Sequence, residues 1–305
     1  MNATAQGEPG WLRQGDAPQP FVVTICSSAS LDRDLELFRS RAGEFPVGAE
    51  QRLADNACRV DVDCSAARAW ALQRELRECL QSADVYVRPA AEPRKRLLIC
   101  DMDMTIVDDE TLDVVAERLG FGERISAITE RAMRGEIEFD AALRERIAIL
   151  AGQPEQVFHE VAQQISLNPG ARELIDGARD AGVHTILVTG GFAQMAEPLA
   201  RELGFDEVHC NYLELEARTL TGRVREPLIN ADLKRQVMRH SAQSLGLSLE
   251  ECCAIGDGAN DLPMLAAAGL GIAYRAKPVL RDAASCRIDA TDLGSALHFM
   301  GLEKP

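Results

Sequence analysis

Apolar positions along this chain fall into short runs and helical stripes that alternate over most of its length. Phe21-Val22-Val23-Thr24-Ile25-Cys26 reads as a strand, and the spacing of Leu31, Leu35 and Phe38 predicts a helix from about Leu31 to Ala42. Alternation in Cys58-Arg59-Val60-Asp61-Val62-Asp63 predicts another strand. Ala66 to Leu80 reads as a helix with Trp70, Leu72, Leu76 and Leu80 apolar, and Asp84 to Pro89 as a further strand. Together these predict a small α+β unit over 20–90, preceded by a disordered lead over 1–19. A linker from Pro89 to Arg94 follows.

Leu97-Leu98-Ile99-Cys100 is a four-residue apolar run bounded by charge, the pattern of a buried strand. Three helical stripes come next. Leu112, Val115 and Leu119 form the first, with a stop at Gly120. Ile125, Ile128, Ala132 and Met133 form the second, ended by Gly135. Phe139, Leu143, Ile147 and Leu150 form the third. Asn168-Pro169-Gly170 breaks the chain, and strands then alternate with helices. A helix to Ala181, a strand His184 to Val188 and a helix Ala193 to Leu203 are followed by a hairpin, Leu213 to Glu216 with Thr219 to Val224. A helix Asp232 to Leu245, a strand Cys252 to Ile255, a helix Leu262 to Ala268 and a strand Leu270 to Tyr274 complete the pattern. Such alternation predicts an α/β domain over 94–305 with a parallel sheet and right-handed crossovers, its helical insert following the first core strand.

A net charge of −15 over 305 residues argues against nucleic acid and anionic membranes as partners. No apolar run approaches the roughly 18 residues of a membrane span. Met1 to Gln19 has neither the basic nor the apolar stretch of a secretory signal. The nine cysteines are odd in number and lack Cys-x-x-Cys spacing, which predicts reduced thiols and a cytoplasmic protein.

The chemistry concentrates at three predicted strand ends. The first carries Asp101 and Asp103, the second Thr189-Gly190-Gly191, and the third Gly256-Asp257-Gly258-Ala259-Asn260-Asp261. Singly, each reads equally well as a polar strand end or a tight turn. Parallel strands bring all three to one edge, where α/β proteins bind ligands. Mg²⁺ suits one or two carboxylates plus a substrate phosphate, and Asp101 with Asp257 is the obvious pair. Thr189 and the N–H groups after it can cradle a phosphate. The chain has only four lysines against 29 arginines. Of these, Lys234 sits in the helix before the third strand end and could neutralise phosphoryl charge, or be an ordinary exposed residue. Walker A, dinucleotide and EF-hand patterns are absent, as is a Ser/His/Asp arrangement.

Asp101-x-Asp103-x-Thr105, Thr189-Gly-Gly191, Lys234 and Gly256 to Asp261 resemble, in their order, the four motifs of haloacid-dehalogenase-superfamily phosphatases. Asp108-Asp109-Glu110, Glu130 to Gly135, Leu143 to Arg146, Gly190-Gly191-Phe192, Gly256 to Met264 and Ala273 to Pro278 are similar to the phosphoserine phosphatases of that superfamily. The resemblance covers about Arg94 to the C-terminus. It implies a Rossmann-like core with a helical cap at about 108–168 that closes over substrate. It also implies Mg²⁺-dependent hydrolysis of O-phospho-L-serine, the last step of serine biosynthesis, through an aspartyl-phosphate.

By the same resemblance, Asp101 would be the nucleophile and Asp103 the general acid and base. Mg²⁺ would be held by Asp101, the carbonyl of Asp103, and Asp257. Lys234, Thr189 and Gly190 would hold the phosphoryl group, Asn260 would contact the substrate or nucleophile region, and Asp261 would support the metal ligands from behind. Glu110 and Arg146 would bind the amino and carboxylate groups of the substrate. Arg146 also stands out by itself, because it interrupts the apolar stripe Phe139, Leu143, Leu150. The N-terminal unit is similar to the ACT-like domain preceding some bacterial members, which leaves room for an amino-acid effector and for a homodimer. Met104 and Thr189 depart from the family, which usually has serine at both positions. Two other readings are a phosphatase or phosphotransferase for another small phosphomonoester, and a non-catalytic amino-acid-binding regulator.

Overall fold

The computed structural model describes residues 8–13, 17–43, 46–134 and 136–302. The predicted stop at Gly135 and parts of the predicted lead lie outside them. The N-terminal unit runs β1 (Gln19–Ser27), α1 (Leu31–Ala42), β2 (Val47–Ala54), β3 (Ala57–Cys64), α2 (Ala66–Cys79) and β4 (Ala83–Pro89). Its antiparallel sheet has the order β2-β3-β1-β4. Strand β2 escapes the sequence pattern because it is an edge strand, exposed over six of its eight residues, with no buried face to impose alternation. The lead is also more ordered than its composition suggests. Gly10–Arg13 form a 3₁₀ turn, and the Trp11 ring packs 5.1 Å from that of Phe21.

The second unit begins with β5 (Leu97–Cys100). Four helices follow, α3 (Thr111–Arg118), α4 (Gly122–Met133), α5 (Phe139–Ile149) and α6 (Gln156–Ala162). Then come α7 (Ala171–Asp180), β6 (His184–Phe192), α8 (Ala193–Leu203), β7 (Glu207–Asn211), and the hairpin β8 (Leu213–Glu216) and β9 (Thr219–Val224). The chain ends with α9 (Ala231–Ser244), β10 (Cys252–Gly256), α10 (Leu262–Leu265), β11 (Leu270–Tyr274), α11 (Pro278–Ala283), β12 (Cys286–Ile288) and α12 (Ser295–Phe299). The elements missing from the sequence reading, α6, β7, α11, β12 and α12, are short, with at most seven residues each.

The six core strands are parallel in the order β12-β11-β10-β5-β6-β7, so β5 lies centrally between β10 and β6. Register then fixes the site. Cys100 is level with Leu187 on one side and Ile255 on the other. Asp101, Thr189 and Asp257 therefore emerge within a residue or two of one row at the carboxyl edge.

Helices α3 to α6 form a cap around a buried cluster that includes Leu112, Val115, Ile125, Leu143, Ile147 and Phe158 and is shared with Phe192 and Met195 of the core. The hairpin β8–β9 belongs to it as well. Leu213 and Leu220 join that cluster, and the Gly152 and Leu220 N–H groups donate to the Leu220 and Gln153 carbonyls at 2.9 Å.

The N-terminal sheet docks on the core through β4. The Tyr86 and Phe299 rings meet edge to face at 5.9 Å. The buried Asp84 carboxylate accepts the N–H groups of Asp289 (2.9 Å), Ala290 (3.2 Å) and Thr291 (2.8 Å), and the Thr291 hydroxyl at 2.6 Å. Several donors on one carboxylate are worth more than neutral hydrogen bonds, and losing the acceptor strands buried N–H groups. Asp84→Ala should lower unfolding stability by about 2–4 kcal/mol in chemical denaturation. A change below about 0.5 kcal/mol, the usual size for a neutral surface substitution, would contradict this role.

Candidate active site

Asp101 follows β5 and is 3% exposed. Its N–H donates to the Ile255 carbonyl at 3.0 Å, and its Oδ1 accepts the Met102 N–H at 2.7 Å. The chain then makes one wide turn, closed by the Val107 N–H on the Met102 carbonyl at 3.0 Å. Single turns of this kind are common at functional sites. Met104 lies within it at φ 55°, a left-handed conformation that an unbranched side chain adopts only at a cost. The turn brings Asp103 back to the start of α3, where its Oδ1 accepts the Thr111 N–H at 3.2 Å.

The second strand end packs against this turn. A Cβ on Gly191 would lie 2.7 Å from Met102 Cε, 3.1 Å from Thr189 Oγ1 and 3.3 Å from Asp103 Oδ2, so any larger residue would push on the groups that line the site. The Thr189 hydroxyl accepts the Gly191 N–H at 2.8 Å. Asn211 holds the segment from the side, donating to the Gly190 carbonyl and accepting the Ile229 N–H, both at 2.8 Å.

Lys234 extends from the first turn of α9, which the Asn230 side chain caps by accepting the Leu233 N–H at 3.0 Å. It is buried rather than an exposed helix residue, at 1% exposure. Its ammonium lies 2.7 Å from Asp101 Oδ1 and 2.8 Å from Asp261 Oδ1. Asp261 Oδ2 accepts the N–H groups of Asp257 and Gly258, both at 3.2 Å. One carboxylate oxygen from each of Asp101, Asp257 and Asp261 falls within 4.8 Å of the others.

The electrostatics follow from burial. Desolvation, reinforced by Asp261, holds the Asp101 carboxyl well above the usual range despite Lys234. Desolvation likewise pushes Asp257 up to about 6 against the opposing pull of Lys277. It pushes Asp103 up to about 7, against the Thr111 hydrogen bond. For Lys234 burial acts the other way, and the two neighbouring carboxylates overcome it to hold the ammonium charged.

Three acids buried around one buried ammonium resist ionising together, and a divalent cation would supply the charge that lets them do so. Both oxygens of Asp261 are already engaged, which leaves Asp101 and Asp257 as the carboxylate donors.

On the cap side, Arg146 is half-buried, and its Nε has no hydrogen-bond partner among the described residues. Burial lowers its affinity for a proton, while Asp113, Glu110 and Asp103 oppose that shift. Glu110 immediately precedes α3, and Lys277 Nζ lies 2.9 Å from its Oε1. Asn260 sits against Gly258. Among the described residues no hydrogen bond joins Asn260 to Asp101, Asp103 or Lys234. Sequence reasoning assigns no role to Thr111, Asp113, Asn211 or Lys277. Lys277 is signalled only by the scarcity of lysine and by its place in the family-like segment Ala273 to Pro278.

With metal chelated, Lys234→Met should cost about 3–5 kcal/mol of unfolding stability, because it strands two buried carboxylates. Adding Asp261→Asn should recover part of the loss. An unchanged denaturation midpoint in the single variant would contradict the pairing.

A family model described as haloacid dehalogenase-like hydrolase matches residues 98–266. The phosphoserine phosphatase of Streptococcus thermophilus is 42% identical over 206 residues, covering 68% of this chain and 96% of that protein. Phosphoserine phosphatase SerB2 of Mycobacterium tuberculosis is 44% identical over 210 residues, 69% of this chain, and the match spans about half (51%) of that longer protein. The crystal structure of a HAD family hydrolase from Salmonella enterica serovar Typhi superposes with a TM-score of 0.84 at 28% identity. That match covers 93% of this chain and 98% of the other, so the likeness includes the N-terminal unit. The chain belongs to the haloacid dehalogenase-like hydrolases, within the group of phosphoserine phosphatases.

Proposed function

We propose that the protein hydrolyses O-phospho-L-serine to L-serine and inorganic phosphate, with Mg²⁺ and through a phosphoryl ester of the Asp101 carboxylate. The observation that carries the reading is the Lys234 ammonium bonded to both Asp101 and Asp261 at the edge where Asp103 and Thr189-Gly190-Gly191 converge. Bound Mg²⁺ would be held by Asp101, Asp257 and the Asp103 carbonyl, and would supply the positive charge that lets a dianionic phosphate approach buried carboxylates.

An Asp101 oxygen attacks phosphorus, and the bond to the serine oxygen breaks. Asp103 donates a proton to that departing oxygen. It then takes a proton from the water that attacks phosphorus and releases Asp101 as a free carboxylate. A carboxyl pushed up to about 7 by burial suits both roles near neutral pH. Lys234 stabilises the transferring phosphoryl charge, while Thr189 and the Gly190 N–H bind its oxygens. Asn260 lies toward the substrate, and Asp261 fixes Lys234 and the Asp257 loop.

Under the cap, Arg146 takes the substrate carboxylate through donors that include Nε, which has no partner among the described residues, and Glu110 takes the ammonium. The N-terminal βαββαβ unit is read as an ACT-like module able to carry an amino-acid effector, and through it a homodimer. The free and mostly buried cysteines suit the reducing cytoplasm.

The decisive assay is phosphate release from phosphoserine, phosphothreonine and an aryl phosphate, with and without Mg²⁺. Phosphoserine should be preferred and Mg²⁺ required. Indifference among the three would favour a general phosphomonoesterase. Asp101→Asn should abolish turnover, and appreciable residual activity would sink the nucleophile assignment. Arg146→Ala should weaken kcat/KM for phosphoserine on the order of tenfold to a hundredfold, the worth of a charged hydrogen bond, and leave the aryl phosphate nearly unaffected.

A further inference from the structure

Lys277 ends the loop after β11 and precedes α11. It is tied to the site twice. Its backbone N–H donates to the Asp257 carbonyl at 2.9 Å. Its ammonium lies 2.9 Å from Glu110 Oε1 and 3.5 Å from Asp257 Oδ2. Glu110 opens the first cap helix, whereas Asp257 follows a central core strand. One side chain therefore spans cap and core, between the carboxylate assigned to the substrate amine and one assigned to the metal. A compact ammonium can sit between two carboxylates in this way, where a planar guanidinium would demand a forked geometry. Lys277 engages one Glu110 oxygen, and among the described residues no hydrogen bond holds Oε2. Without it, a half-exposed glutamate keeps its rotamer freedom and must lose it when substrate binds.

We infer that Lys277 is a positioning residue for amino-group recognition, anchoring Glu110 to the core so that its second oxygen is held for the substrate ammonium. The inference rests on the phosphoserine reading of the site. It also gives the bridge a specific consequence, because damage at Asp257 slows every substrate alike, whereas a loose Glu110 penalises only substrates that carry an amine.

The test measures kcat/KM of the full chain for phosphoserine and for 3-phosphooxypropanoate, which keeps the carboxylate and phosphate but lacks the amine. In Lys277→Ala the ratio of the two should fall about three- to fivefold, the size of a partly exposed ion pair, mainly through KM for phosphoserine. Lys277→Arg should restore only part of the ratio, because it keeps the charge but not the compact ammonium that sits between the two carboxylates. A ratio unchanged in Lys277→Ala, with wild type still preferring phosphoserine, overturns the inference alone. A wild-type enzyme with no preference overturns the phosphoserine reading and the inference with it.

Discussion

The Lys234 ammonium between Asp101 and Asp261 is the contact on which the rest of the site depends. Buried carboxylates are tolerated only where charge and hydrogen bonds replace water. Here one lysine serves two of them, and backbone N–H groups of the Asp257 loop serve the other oxygen of Asp261. The remaining deficit is concentrated on Asp101 and Asp257, which face the same small space. On the proposed reading, a site built in this way takes a divalent cation and then a phosphate. Burial also raises the proton affinity of Asp103, which fits it to move protons.

The sheet register turns this chemistry into a single place. Because Cys100 is level with Leu187 and Ile255, residues far apart in sequence leave the strands side by side. The cap adds a second layer, with Glu110 tied through Lys277 to the Asp257 loop and Arg146 near enough to Glu110 and Asp103 to feel their charge. The N-terminal unit is part of the same body. Cys26, Ala57 and Tyr86 share a buried cluster with Leu98, Cys253 and Phe299, and Asp84 fastens β4 to the loop after β12.

Much of this is legible in the order of residues alone. Leu97 to Cys100 ending in Asp101 has the length and boundary of a central strand, and strand–helix alternation implies the common edge. Lys234 is ambiguous in sequence, since a lysine in an amphipathic helix is usually solvated, and only its burial against two acids decides the matter. Strands β2 and β7 stay hidden because edge strands need no continuous apolar face. The bridge through Lys277 links positions 167 residues apart, and local spacing carries no trace of it. Met104 is visible as a departure from the family, but not as a left-handed residue in the turn just after Asp103, because side-chain type rarely announces such a conformation.

The central claim is that Asp101 itself carries the phosphoryl group. Rapid acid quench of the enzyme during turnover of radiolabelled phosphoserine, followed by peptide mapping, tests it directly. The account predicts label on the peptide containing Asp101, released by hydroxylamine as an acyl phosphate is. Label on a peptide without Asp101, or turnover with no labelled protein at any quench time, would contradict it.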